Sequence, residues 1–178
     1  RPDLWGHYGI ARELAAIYKV PLKPLSQEKP DPSLPGYQVD IQVPDKCRRF
    51  AAIVIDGVDS RPSPNWMKTA VTNGGMRPIN AIVDITNYIM MAVGQPTHGY
   101  DFSHVEDHII VRNAKPGEKL ILLDQSDLDL TESDLVICDV EEPISLAGIR
   151  GGRKDSILPD TRKIVLELAN FSAETIRK

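Results

Sequence analysis

The chain has 178 residues, a formal net charge of −4 and an apolar fraction of 42%, which suits one sizeable domain with an appendage. No apolar run approaches the roughly 18 residues that span a bilayer, and no secretory signal is visible, so a cytoplasmic protein without a membrane partner is expected. Cys47 and Cys138 lack metal-ligand spacing, which predicts reduced thiols. The negative charge argues against strong unaided binding to a polyanion.

An amphipathic helix is predicted over residues 7–19, where Ile10, Leu14 and Ile17 recur at helical spacing. A connector rich in proline follows, with Pro21, Pro24, Pro30, Pro32 and Pro35. This proline density excludes regular structure and indicates an extended segment. We therefore predict a leading helix and connector over 1–36, acting as a tether, and one domain over 37–178.

Alternating apolar residues predict a strand over 37–43, and a more apolar segment predicts a strand over 50–58. Ser63-Pro64 is typical of a helix start, with serine as the cap and proline at the first helical position, and that helix would end at Gly74-Gly75. A second helix is predicted over 80–93, because Gly94 and then Pro96 end the periodic pattern.

Strands dominate after Asp101. They are predicted over 108–113, 119–124, 134–139, 143–148 and 163–170. Helices followed by strands, without β-α-β alternation, favour an α+β fold with a mixed or largely antiparallel sheet.

The ends of the sequence suggest a fragment. The chain starts at Arg1 without an initiator methionine and stops at Lys178, within a helix that Ser172 would cap. We expect a piece of a longer protein whose domain is truncated at its C-terminal end.

Acidic and basic residues are segregated. Eight acidic residues and no lysine or arginine lie between Leu120 and Ile149, whereas basic residues gather at 48–49 and 150–154. We interpret these clusters as solvated surface charge rather than as a nucleic-acid binding surface. Most of the binding energy for any RNA would therefore come from another part of the protein.

The predicted helix over 80–93 carries polar and apolar stripes. Thr86 with Met90, and Asn87 with Met91, are four residues apart. Such a surface could line a pocket for a partly polar ligand. The alternative, favoured on spacing alone, is a core helix whose threonine and asparagine bond locally.

His98 stands in Gly94-Gln-Pro-Thr-His98, where a tight loop at a helix C-terminus would favour the protonated imidazole. A lone loop histidine is more often structural than catalytic. His104 and His108 lack a motif, and no spacing makes a metal site with His98.

Two further segments are candidates. Residues 146–152 form a strand that enters a glycine-rich bend, which could offer backbone N–H groups to a ligand or be a plain turn. Glu167 shares a strand face with Val165 and Ala169, so its carboxylate could be partly desolvated, although solvent exposure is the default.

Together these motifs resemble the tRNA-editing domain of the phenylalanyl-tRNA synthetase β chain. The resemblance rests on residues 83–88, 94–98, 147–152 and 166–171, in order, together with the opening residues 1–13. It implies the α+β fold of that editing domain and hydrolysis of tyrosine wrongly esterified to the phenylalanine tRNA.

The resemblance also implies residue roles. His98 would orient the 3′-terminal adenosine and help to place the attacking water, and Glu167 would accept a hydrogen bond from the tyrosine hydroxyl. Thr86 and Asn87 would contact the aminoacyl group, and the backbone from Gly148 to Gly151 would border the pocket.

Partners and cofactors follow in the same way. The partners would be the 3′ end of tRNA(Phe) and the synthetase α chain in a heterotetramer. This part of the protein would hold no cofactor, because ATP and Mg²⁺ would serve ligation by the full enzyme. The alternative is a non-catalytic scaffold module that binds tRNA or a partner protein.

Three departures from the family pattern stand out. Arg150 takes the place of an apolar residue, and Gln125-Ser126 replaces a glycine turn. The chain also stops before a threonine-bearing segment of the family pocket, so the isolated fragment is expected to edit poorly.

Overall fold

The computed structural model describes residues 1–26, 29, 31, 33–123, 125–154 and 156–177. The chain forms two compact units, one of residues 1–36 with 62–97 and one of residues 37–61 with 98–178. The sequence predicted a leading segment over 1–36 and a separate domain over 37–178, and this division stays a prediction. The α+β class is confirmed, because both helices and mixed sheets are present.

The first unit is helical. It contains α1 (His7–Tyr18), α2 (Asn65–Asn73) and α3 (Ala81–Val93). The side chain of Asn80 caps α3 by accepting the Val83 N–H at 3.0 Å. Gly94 ends α3 in the left-handed conformation, with φ of 77°. All three helices are confirmed within one or two residues.

The start of α2 corrects a detail of the sequence prediction. Pro64 is the N-cap residue and the Ser63 side chain does not cap the helix. Ser63 Oγ donates instead to Asp84 Oδ2, while the Ile79 N–H donates to Asp84 Oδ1 at 2.8 Å. Asp84 is fully buried, so its carboxylate needs these donors more than the helix end needs a cap.

The apolar stripe of α1 is exposed. Ile10 and Leu14 are each 47% exposed and Ile17 is 68% exposed. The periodicity predicted the helix correctly, but no described part of the chain buries its apolar face. The tether role of α1 stays a prediction, and Pro30 and Pro32 of the connector lie outside the described residues.

The second unit carries the strands and a short C-terminal helix. They are β1 (Val39–Ile41), β2 (Cys47–Asp56), β3 (His98–Asp101), β4 (Ile109–Asn113), β5 (Lys119–Ile121), β6 (Asp127–Asp129), β7 (Leu135–Cys138), β8 (Pro143–Leu146), β9 (Arg150–Gly151), β10 (Lys163–Phe171) and α4 (Ala173–Ile176). The strands form a five-stranded sheet in the order β1-β4-β7-β8-β9, a three-stranded sheet in the order β2-β10-β3 and a two-stranded sheet of β5 and β6. Only the recorded β1–β4 pairing is parallel, so the mixed, largely antiparallel sheet is confirmed.

Every predicted strand is present, although Asp124, the expected end of one of them, lies outside the described residues. The short strands β3, β6 and β9 were not predicted. They have two to four residues, and each exists because its backbone pairs with a longer neighbour. Such strands lack the length that a periodicity needs.

The core of the second unit lies between the sheets. Tyr100, Ile109, Ile137, Ile144 and Val165 are at most 1% exposed and belong to one cluster. Tyr100 and Val165 come from the three-stranded sheet, so this core contacts the strand pair that carries His98 and Glu167.

Candidate functional site

The β3–β10 pair positions the candidate residues of the second unit. His98 is directly opposite Glu167, and Tyr100 is directly opposite Val165. Residues opposite each other in an antiparallel pair project from the same face. His98, Tyr100 and Glu167 therefore share one face of the sheet.

This pairing corrects the predicted environment of His98. The residue does not lie on a tight loop but begins β3. The physical reason is that the backbone after Pro96 is extended and is held by hydrogen bonding to β10. The protonated state expected from a helix dipole stays a prediction.

Glu167 is buried. Only 7% of the residue is exposed, so the default expectation of solvent exposure is wrong and the desolvated alternative is confirmed. The Tyr100 hydroxyl donates a hydrogen bond to Glu167 Oε2, and Tyr100 itself is 0% exposed. A buried carboxylate is stable only with such donors.

The imidazole of His98 contacts an aromatic ring and lies close to a glycine. Its centroid lies 4.6 Å from that of Tyr100 with an interplanar angle of 71°, an edge-to-face contact. A Cβ atom placed on Gly151 would lie 3.0 Å from His98 Cε1 and 3.2 Å from Nε2. Glycine at 151 therefore lets the imidazole approach the backbone of the β8–β9 hairpin.

Gly148 has a different role in the same hairpin. Its φ is +67°, and an added Cβ would lie 3.1 Å from Phe171 Cδ2 and 3.2 Å from Ile176 Cδ1. Glycine is required there for the turn and for close packing on β10 and α4. The structure therefore brings Gly151, but not Gly148, against His98. Arg150, between them, is exposed.

Thr86 and Asn87 belong to the first unit, on α3, and both are half-buried. Thr86 Oγ1 donates to the Val83 carbonyl at 2.7 Å, so local bonding is confirmed for threonine. A cavity of about 540 Å³ within the same unit is lined by Tyr88 and Met91 among others, but neither Thr86 nor Asn87 is part of its lining.

The cysteines are free and buried, as predicted for reduced thiols. Burial is the main cause that raises the pKa of the Cys47 thiol, and the charge of Glu167 adds to it. Burial raises the pKa of Cys138 to about 12. Neither thiol is suited to nucleophilic chemistry at neutral pH.

Tyr100 is the residue that sequence reasoning missed. The only signal was an aromatic residue two positions after His98, a spacing that would place both side chains on one face of a strand. That signal was hidden because β3 was not predicted as a strand. The contact with Glu167 spans 67 residues and has no local signature.

Other histidines do not join His98. His108 Nδ1 lies 2.9 Å from Asp107 Oδ2, and His104 Nδ1 is buried without a recorded partner. Within the part of the chain that the structure describes, no group of three or more His, Cys, Asp or Glu residues is arranged to hold a metal ion. No helix among the described residues is long and apolar enough to cross a membrane.

Comparisons with known proteins agree with this architecture. Residues 46–178 match the model of the B3/4 domain. The whole chain is 42% identical to phenylalanine–tRNA ligase β subunits of Solibacter usitatus, Moorella thermoacetica and Aquifex aeolicus. It spans 23% of the length of each of these relatives.

A solved structure shares the fold. An N-terminal fragment of the phenylalanyl-tRNA synthetase β subunit from Pyrococcus horikoshii matches 98% of this chain and 54% of its own, with a TM-score of 0.57 and 15% identity. That identity supports the fold alone. The family model, in contrast, matches three quarters of the sequence in register, and the chain therefore belongs to the B3/4 domain family.

Proposed function

We propose that this chain is the editing part of a phenylalanine–tRNA ligase β subunit and hydrolyses the ester of tyrosine mischarged onto tRNA(Phe). The observation that carries the proposal is a buried carboxylate, Glu167, that accepts a phenol hydroxyl beside the imidazole of His98. The names of the relatives supply the enzyme and its amino acid.

Glu167 is proposed to choose the amino acid. A carboxylate in a dry site accepts a phenol hydroxyl well, and the bond to Tyr100 is an internal example. Phenylalanine would bring no hydroxyl and would leave a buried acceptor less well satisfied, at a cost of about 1–3 kcal/mol. The site would thus hold the wrong product and reject the correct one.

His98 is proposed to act on the ester. Its ring would bind the 3′-terminal adenosine and help to place the attacking water, while the backbone of Gly148 to Gly151 borders the pocket. The contact between His98 and Gly151 supports the latter role. Thr86 and Asn87 are proposed to contact the aminoacyl group. Positioning of water requires no protein nucleophile.

The proposal extends to the surroundings of the site. The 3′ end of tRNA(Phe) would be the substrate, and the α chain of a cytoplasmic ligase heterotetramer would be the partner. ATP and Mg²⁺ would serve the ligation reaction of that assembly. These statements rest on the relatives, of which this chain spans 23%.

A second candidate is a scaffold module that binds tRNA or a protein without catalysis. The observation that favours it is Arg150, an exposed cation adjacent to Gly151 in the β8–β9 hairpin. Arginine binds phosphate without any requirement for chemistry. Under this hypothesis the wild-type assembly would bind Tyr-tRNA(Phe) but leave its ester intact.

Deacylation of Tyr-tRNA(Phe) tests the proposal. The ligase assembled with its α chain would carry Glu167→Ala, His98→Ala or the control His108→Ala. We expect each of the first two to slow hydrolysis at least tenfold, about 1.4 kcal/mol or more, with aminoacylation by phenylalanine and the control unchanged.

Unchanged hydrolysis in both test variants would reject the residue roles, and no hydrolysis by the wild type would favour the scaffold. A ligand test on the chain itself is simpler. Tyrosine, but not phenylalanine, is expected to raise the thermal unfolding temperature.

A further inference from the structure

Tyr100 contacts both candidate residues of the second unit at once. Its hydroxyl donates to Glu167 Oε2, and its ring packs edge-to-face on His98 at 4.6 Å. It is fully buried at the centre of the core cluster and cannot leave without disturbing that cluster.

We propose that Tyr100 is a positioning residue for the editing reaction, with its hydroxyl orienting the carboxylate of Glu167 and its ring orienting the imidazole of His98. This inference rests on the proposed function and deepens it. Tyr100 touches neither the ester nor the water, so it acts only through these two neighbours.

The contact between the Tyr100 hydroxyl and Glu167 sets amino-acid specificity. An ionised carboxylate has two oxygens and about four acceptor positions. The Tyr100 phenol occupies one position on Oε2 and thereby limits rotation of the carboxylate about its last bond. The tyrosyl hydroxyl of a substrate then meets an acceptor whose orientation is already fixed, which lowers the entropic cost of binding.

The groups that face Glu167 come from two neighbouring strands. His98 and Tyr100 lie on β3, and Cys47 on β2 is close enough for the Glu167 charge to act on its thiol. The residue opposite Glu167 on β2 is Ala52, which carries no polar group. The Tyr100 hydroxyl is a donor to Glu167 on this face.

The contact between the Tyr100 ring and the imidazole sets the placement of His98. The imidazole contacts both the Gly151 position and the Tyr100 ring. An edge-to-face pair contributes about 0.5–1.5 kcal/mol beyond its buried area and prefers a defined angle. Loss of the ring would remove this preference for one orientation of His98.

The two contacts can be separated by substitution. Tyr100→Phe removes only the hydroxyl and keeps the ring against His98, whereas Tyr100→Leu removes both. Tyr37→Phe is a matched control, because it also removes a phenol hydroxyl. Tyr37 is half-buried, and its hydroxyl donates to the Asp107 carbonyl at 3.4 Å. Circular dichroism and thermal unfolding check that each variant folds.

The experiment measures single-turnover deacylation of Tyr-tRNA(Phe) and Phe-tRNA(Phe) by the ligase assembled with its α chain. For Tyr100→Phe we expect the ratio of the two rates to fall about fivefold to tenfold, through the tyrosyl ester. For Tyr100→Leu both rates should also fall. A purely structural role would lower both rates equally and leave the ratio unchanged.

A double-mutant cycle with Glu167→Ala decides whether Tyr100 acts through Glu167, because alanine removes the acceptor of the Tyr100 hydroxyl. Tyr100→Phe is expected to have little further effect on the ratio in the Glu167→Ala background, because coupled residues are not additive. An unchanged ratio in Tyr100→Phe, or full additivity with Glu167→Ala, would overturn the inference. If the wild-type assembly leaves the ester of Tyr-tRNA(Phe) intact, the proposed function fails instead, so the two failures are distinguishable.

Discussion

Glu167 on β10 and Asp139 after β7 are both buried carboxylates of the second unit, but their partners differ in kind. Asp139 accepts the backbone N–H groups of Glu141, Glu142 and Glu106 at 2.8 to 3.3 Å, and Lys154 Nζ lies 3.0 Å away. Glu167 accepts from the side chain of Tyr100.

This difference in donors helps to distinguish a buried carboxylate with a structural role from one that could bind a ligand. Backbone donors cannot move without unfolding the turn, so Asp139 closes the connection between β7 and β8. A phenol is a side chain that can share its acceptor with a ligand. Burial alone would have marked both carboxylates as candidates, whereas the phenol donor distinguishes Glu167 from Asp139.

The largest expected effect is the loss of the Asp139 carboxylate. Asp139→Ala leaves three backbone N–H groups without their acceptor and removes one of the carboxylates that pair with Lys154, so we expect the free energy of unfolding to fall by about 3 kcal/mol. Urea denaturation measures this change. The neighbouring control Glu141→Ala, at an exposed side chain, should cost under about 0.5 kcal/mol. A loss under 1 kcal/mol in Asp139→Ala would contradict this account.

An intermediate effect is expected on acid stability. Burial alone would raise the pKa of Asp139, but its backbone hydrogen bonds and Lys154 hold that pKa below the ordinary 3.8. A folded-state pKa below the unfolded value stabilises the fold above the unfolded pKa, and this contribution is lost as pH falls through the folded pKa.

Unfolding free energy measured between about pH 5 and pH 2 should therefore decline less in Asp139→Asn than in the wild type. Some decline will remain, because hydrogen bonding from Arg112 also lowers the pKa of Glu118. Parallel curves for the two proteins would show that Asp139 does not contribute to acid lability.

The smallest effect on stability is expected at Glu167. Glu167→Gln keeps a carbonyl oxygen that accepts the Tyr100 hydroxyl, so the free energy of unfolding should change by under about 1 kcal/mol. The same variant should lose its preference for the tyrosyl ester. A stability loss as large as that of Asp139→Ala would identify Glu167 as a structural anchor and remove the contrast.

Local chemistry made much of the fold predictable. The Asn80 cap and Gly94 set the limits of α3, and apolar segments separated by turn residues located β7, β8 and β10. These signals act within a few residues, which is why the sequence reveals them. The Gln125-Ser126 turn shows that these local signals do not predict every feature. Gln125 adopts a left-handed φ of 69°, a conformation that glycine would favour.

The candidate site was only partly predictable. The resemblance selected His98, Gly151 and Glu167, and the structure brings these three into one neighbourhood. The same reasoning grouped Gly148 with them, although its close contacts are Phe171 and Ile176. The local Ser63-Pro64 pattern predicted a cap, whereas that hydroxyl donates to the buried Asp84.

By itself, then, the sequence determined the helices and the long strands, because capping and periodicity are local properties. Only the tertiary structure decided that His98 begins a strand, that Glu167 is buried and that Tyr100 joins them. These outcomes depend on the pairing of β3 with β10 across more than 60 residues. Burial and hydrogen-bond partners are set by what packs around a residue, and no local pattern encodes them.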